Sequence, residues 1–96
     1  MMVLITYDVN TETALGRKRL RQVAKQCENY GQRVQNSVFE CLVDGGQLRT
    51  LQARLEKIID VEKDSIRYYR LGDDWRGRVE HVGAKASLDL EGTLIV

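Results

Sequence analysis

The chain has 96 residues, 43% hydrophobic and 30% charged, with a net charge of +1. That length holds one small domain with a thin core, which a second copy would help to complete. The near-neutral balance excludes binding to nucleic acid or membrane through a strong overall field, so any contact with a polyanion must rest on local clustering.

No run of about eighteen apolar residues marks a membrane span, and the start lacks the layout of a signal peptide, so a cytoplasmic location and no membrane partner are expected. Cys27 and Cys41 match no zinc spacing and read as small buried apolar residues.

The run "MVLITYDV" is rich in β-branched residues and apolar on both faces, which predicts a central strand covered twice. "NTETALG" is a polar connection with several candidate N-caps. Residues 15–30 turn helical: Leu20, Val23, Ala24, Cys27 and Tyr30 form one apolar stripe, and Gly31 stands where a C-cap glycine belongs. "QRVQNSVFECLV" predicts two strands, residues 33–35 and 38–43, around an Asn36–Ser37 turn.

Asp44, with Gln47 at capping-box spacing, opens a second helix with a Leu48, Leu51, Leu55, Ile58 and Ile59 stripe. "DSIRYYRL" predicts a fourth strand over residues 65–71, "GDDWRG" a loop and "RVEHVG" a fifth strand. Residues 1–83 make the domain, and residues 84–96 a tail ending in a strand over residues 93–96. The βαββαβ order is the ferredoxin-like α+β arrangement, a four-stranded antiparallel sheet with two helices on one face. Its open face calls for a cover, and a two-fold homodimer with the C-terminal strands crossing to the partner is expected.

Asp8 stands at the carboxyl end of the first strand. It reads either as a cap for the following loop or as a hard ligand for Mg²⁺ or Mn²⁺. One carboxylate per chain is a poor site, but a dimer axis near the strand would bring two Asp8 carboxylates onto one ion beside a scissile phosphate. On the first helix Arg17, Lys18, Arg21 and Lys25 fall in one arc, either a solvated face or a phosphate rail that Arg33 extends. Arg67, Arg70, Arg76 and Arg78 add charge whose placement the pattern does not fix. Tyr7 reads as core; Tyr68, Tyr69 and Trp75 either stack on bases or pack a dimer interface. His81 reads as structural. No Ser-His-Asp pattern, glycine-rich phosphate loop or dinucleotide fingerprint is present.

"VLITYDV", "GRKRLRQVAKQCENYGQRVQNSVFEC" and "DSIRYYRLG" together closely resemble the small CRISPR-associated protein family of the spacer-acquisition machinery, partner of the CRISPR integrase and often labelled an endoribonuclease. "VEHVG" and the tail resemble the versions found with the I-C type. The resemblance implies a ferredoxin-like homodimer in which Asp8 binds Mg²⁺ and the adjacent Tyr7 joins it as a catalytic residue. It implies nucleic-acid contacts at Arg17, Arg19, Arg33, Ser37 and Phe39; Arg19 points away from the basic arc and rests on the resemblance alone.

Two functions follow. In one, the chain is a metal-dependent endonuclease acting on RNA or double-stranded DNA. In the other, it is a non-catalytic adaptor that holds DNA and bridges integrase subunits during spacer integration. A base-stacking single-strand RNA binder is disfavoured, because "SVFECLV" offers only Phe39 as a platform.

Overall fold

Alternation along β1 (Met2–Asp8) sends Val3, Ile5 and Tyr7 to one side and Leu4, Thr6 and Asp8 to the other. In the computed structural model, which describes residues 1–83 and the short strands β5 (Ser87–Leu88) and β6 (Leu94–Ile95), the first set enters the core. Between them run α1 (Ala14–Glu28), β2 (Gly31–Gln35), β3 (Val38–Leu42), α2 (Gly45–Ile58), β4 (Ser65–Gly72) and a 3₁₀ turn at Trp75–Gly77. The first four strands form one antiparallel sheet in the order β2-β3-β1-β4, the expected ferredoxin-like fold.

Val3 and Ile5 pack with Phe39 and Cys41 of β3, with Val23, Ala24 and Cys27 of α1, and with Leu48, Leu51 and Leu55 of α2. Burial pushes both thiols up to about 12, so Cys27 and Cys41 are inert core residues. The helix-free face carries cross-strand rows: Glu40–Leu4–Tyr69, Val38–Thr6–Arg67, and Asp8 beside Ser65. Leu4 and Thr6 are half-buried there.

Local chemistry sets the element ends. Thr13 Oγ1 caps α1 by accepting from Gly16 N at 3.0 Å. Asp44 caps α2 with its reciprocal partner Gln47, as the spacing predicts.

Gly31 differs from expectation. Helix α1 ends on Asn29 in right-handed geometry, and Gly31 opens β2 instead. A Cβ at Gly31 would lie 2.1 Å from the Glu40 carbonyl oxygen, so close strand approach, not helix termination, requires the glycine.

The expected fifth strand at "RVEHVG" does not form; Val82 is 95% exposed and the segment joins no ladder. An extended segment becomes a strand only when a neighbour takes its N–H and C=O groups. Strands β5 and β6 pair with each other, Ser87 opposite Ile95 and Leu88 opposite Leu94. Of the strand expected over residues 93–96, positions 93 and 96 lie outside the described residues, as does most of the tail.

Candidate active site at the end of strand β1

Asp8 is exposed on the helix-free face, where β1 leaves the sheet. Its cross-strand partner is Ser65, and Thr6 beside it pairs with Arg67. Thr6, Tyr7, Asp8, Ser65, Arg67 and Tyr69 line an open cavity of about 300 Å³. Arg67 Nη1 donates to Tyr69 Oη at 3.4 Å, a bond that raises the guanidinium's affinity for its proton, and Tyr69 stays 43% exposed. Register alone brings Arg67 to Asp8, which reading β4 in isolation leaves open.

Among the described residues no three His, Cys, Asp or Glu side chains group as metal ligands, and Asp8 forms no ion pair. A single exposed carboxylate does not make a closed metal cage. It does fit an open, largely hydrated Mg²⁺ or Mn²⁺, which takes one or two carboxylates and keeps several waters.

The other expected site residues separate into groups. Arg17, Lys18, Arg21 and Lys25 are all exposed, and Arg17 Nη1 donates to Thr11 O at 3.1 Å, against the loop that leaves Asp8. Tyr7 faces the core, opposite Asp8; its ring stacks on Phe39 at 6.2 Å, and burial raises its hydroxyl pKa, with Arg33 pulling the other way.

Phe39 and Arg19 are engaged within the chain. Phe39 is 0% exposed, so its ring has no face to offer a base; instead Arg33 lies over it at 5.2 Å while pairing with Glu28 at 3.6 Å. Arg19 turns toward the β4 end of the fold. Its Nε donates to Asp64 Oδ2 at 2.8 Å, and Asp64 neutralises its charge. A helical wheel shows Arg19 leaving the basic arc but cannot show what it meets.

Ser37 joins the turn to β1 through its backbone. At φ 63° it sits in the left-handed region of the β2–β3 turn, and its carbonyl accepts from Tyr7 N at 3.0 Å. The turn is thereby tied to the Asp8 end of β1.

The sequence reading missed Asp64. Its side chain is 0% exposed and accepts from Asn10 N at 2.9 Å, Asp60 N at 2.9 Å and Arg19. Burial alone would raise its pKa; the Arg19 hydrogen bond and the Asp60 and Asn10 amides outweigh burial and hold the carboxyl below its ordinary value. An acid immediately before the strand that pairs with Asp8 was the available signal.

Fold and site together define a small ferredoxin-like α+β protein with a solitary hard carboxylate at the end of its central strand. Residues 1–79 match the family described as CRISPR associated protein Cas2, and the chain belongs to that family. It is 63% identical over 95 residues to the CRISPR-associated endonuclease Cas2 of Halalkalibacterium halodurans, covering 99% of each chain. It is 62% identical over 96 residues to the CRISPR-associated endoribonuclease Cas2 of Chlorobaculum tepidum, covering 100% of both. The crystal structure of Streptococcus pyogenes Cas2 at pH 6.5 superposes with a TM-score of 0.76 at 63% identity, over 86% of this chain and 100% of that one. Among the described residues no helix is long and apolar enough to cross a membrane.

Proposed function

We propose that this Cas2-family nuclease hydrolyses phosphodiester bonds in RNA or double-stranded DNA, with Asp8 from each of two copies holding one Mg²⁺ or Mn²⁺. The observation that carries the reading is the exposed Asp8 carboxylate, without an ion pair among the described residues, in a cavity that also presents Arg67 and Ser65. When bound, the ion supplies Lewis-acid charge and a water of lowered pKa.

The chain's own residues do the rest. Asp8 presents carboxylate oxygens at the end of a rigid strand. Arg67 presents a guanidinium toward a phosphate entering the cavity. Arg17, Lys18, Arg21 and Lys25 track the neighbouring backbone phosphates, and Arg17 lies nearest the Asp8 loop.

The homodimer forms through the helix-free sheet face, and spacer acquisition beside the integrase is its biological setting. The half-buried Leu4, Thr6, Val38 and Leu42 on that face favour such a cover.

Asp8→Asn keeps side-chain volume and removes the charge, so the variant is expected to fold and dimerise as wild type and to lose Mg²⁺-dependent cleavage by at least about a hundredfold. Undiminished cleavage by the purified variant rules the mechanism out. The sparse donor set favours a second reading, a DNA-holding adaptor that bridges integrase subunits. It expects Asp8→Asn cells to acquire spacers normally, and loss of acquisition with the complex still assembled counts against it.

A further inference from the structure

Asp8 lies at the last position of β1, where a strand normally begins to fray. The chain beyond it is held. Asn10, two residues on, donates its amide to Asp64 Oδ1 at 2.9 Å. Asp64 directly precedes Ser65, the cross-strand partner of Asp8. One buried carboxylate therefore grips both sides of the Asp8–Ser65 pair, by a hydrogen bond on the β1 side and by the chain itself on the β4 side.

Its other contacts bring in the rest of the end of the fold. Asp60 N donates to Oδ2 at 2.9 Å from the α2–β4 connection, and Arg19 donates from α1 through Nε at 2.8 Å and Nη2 at 3.4 Å. The loop is closed in from the helix side as well. Gly16 approaches Asn10 so tightly that a Cβ would stand 1.9 Å from its carbonyl oxygen. Asn10 Oδ1 also accepts from Glu12 N at 3.0 Å, which sets the turn into α1.

Stability alone is a weak reason for this arrangement. A buried ion pair contributes little net stability, and apolar replacements of similar volume often do as well. What convergent hydrogen bonds give and apolar contacts do not is a fixed direction for the chain they hold. We propose that Asp64, aimed by Arg19, is a positioning residue that fixes where Asp8 presents its carboxylate. The inference rests on the reading of Asp8 as the metal-holding group. It gives Arg19 a role in cleavage without contact to nucleic acid.

The test compares wild-type dimer with Asp64→Asn and Arg19→Lys. Asp64→Asn keeps the shape but turns an amide NH₂ toward one of the donors that Asp64 accepts. Arg19→Lys keeps the positive charge but loses the planar fork. The readouts are hydrogen exchange at the Asn10 amide, Mn²⁺ affinity, kcat and KM for a defined duplex, and the salt slope of binding. With circular dichroism and dimer size unchanged, both variants are expected to speed Asn10 exchange, weaken Mn²⁺ binding and lower kcat by about tenfold to a hundredfold, the scale of a 1 Å misplacement. KM and the salt slope stay within about twofold, because no phosphate contact is lost.

A fall in duplex affinity and in salt slope for Arg19→Lys, with kcat unchanged, overturns the proposal in favour of direct phosphate contact. Unchanged Asn10 exchange and kcat in both folded variants overturns it too. If Asp64→Asn fails to fold, Arg19→Lys alone decides by the same criteria. Exchange and Mn²⁺ affinity are read without cleavage. A wild type that binds Mn²⁺ at Asp8 but does not cut therefore defeats the nuclease reading while these two still support the positioning role. A wild type that neither cuts nor binds Mn²⁺ defeats both.

Discussion

Single residues at the Asp8 end of the molecule work mostly through what they hold. Phe39 is fully enclosed, so Phe39→Ala is expected to cost about 3–5 kcal/mol of folding stability. Phe39→Leu should keep cleavage per folded molecule near wild type; a folded Phe39→Leu that binds nucleic acid poorly would restore the stacking role. Ser37 carries left-handed strain at φ 63°, and Ser37→Asn is expected to keep the fold with a melting temperature equal to or slightly above wild type. A clear fall in melting temperature would show that the serine hydroxyl matters there.

Asp64 also sets a pH dependence. Its folded pKa lies below its unfolded one, so its stabilisation is present above the unfolded value and is lost as pH falls through the folded one. Denaturant melts of wild type against Asp64→Asn should converge on acidification; curves that stay parallel would contradict the linkage.

At the scale of elements, α1 separates two kinds of basic residue. Arg17, Lys18, Arg21 and Lys25 are exposed on one arc, while Arg19 turns inward to Asp64. Reversing Arg17 and Arg21 to Glu is expected to weaken duplex binding and flatten its salt slope by about two charges. An unchanged slope removes α1 from the interface.

On β3, burial pushes the Glu40 carboxyl up, with His81 pulling it down. The sign is opposite to Asp64: this contribution is present at low pH and is lost as pH rises through the folded value. Glu40→Gln should therefore flatten the decline in stability toward neutral pH seen by denaturation, and an identical slope would sink that assignment.

The same scale explains what was legible. The alternation of β1, the stripes of both helices and the Asp44–Gln47 box are local signals, and each fixes its element. The Arg19–Asp64 pair spans 45 residues, and Arg67 reaches the site only through register with Thr6. Gly31 follows a helix in sequence yet opens β2 and answers to the neighbouring strand β3. The "RVEHVG" segment has strand composition, but composition does not supply the neighbour that a ladder needs.

For the whole molecule, the sheet separates a packed face from an open one. The packed face holds Val3, Ile5 and Tyr7 under the helices; the open face offers Asp8, Arg67 and Tyr69 to whatever lies against it. Among the described residues Asp8 is the one carboxylate lining the cavity, so the proposed chemistry needs two copies. The most direct measurement is cleavage by a mixed dimer with one wild-type chain and one Asp8→Asn chain, purified by two different tags. If both carboxylates hold one ion, the mixed dimer cuts far below half the wild-type rate. A mixed dimer at half the wild-type rate would mean that each chain carries its own complete site, and would contradict the shared metal.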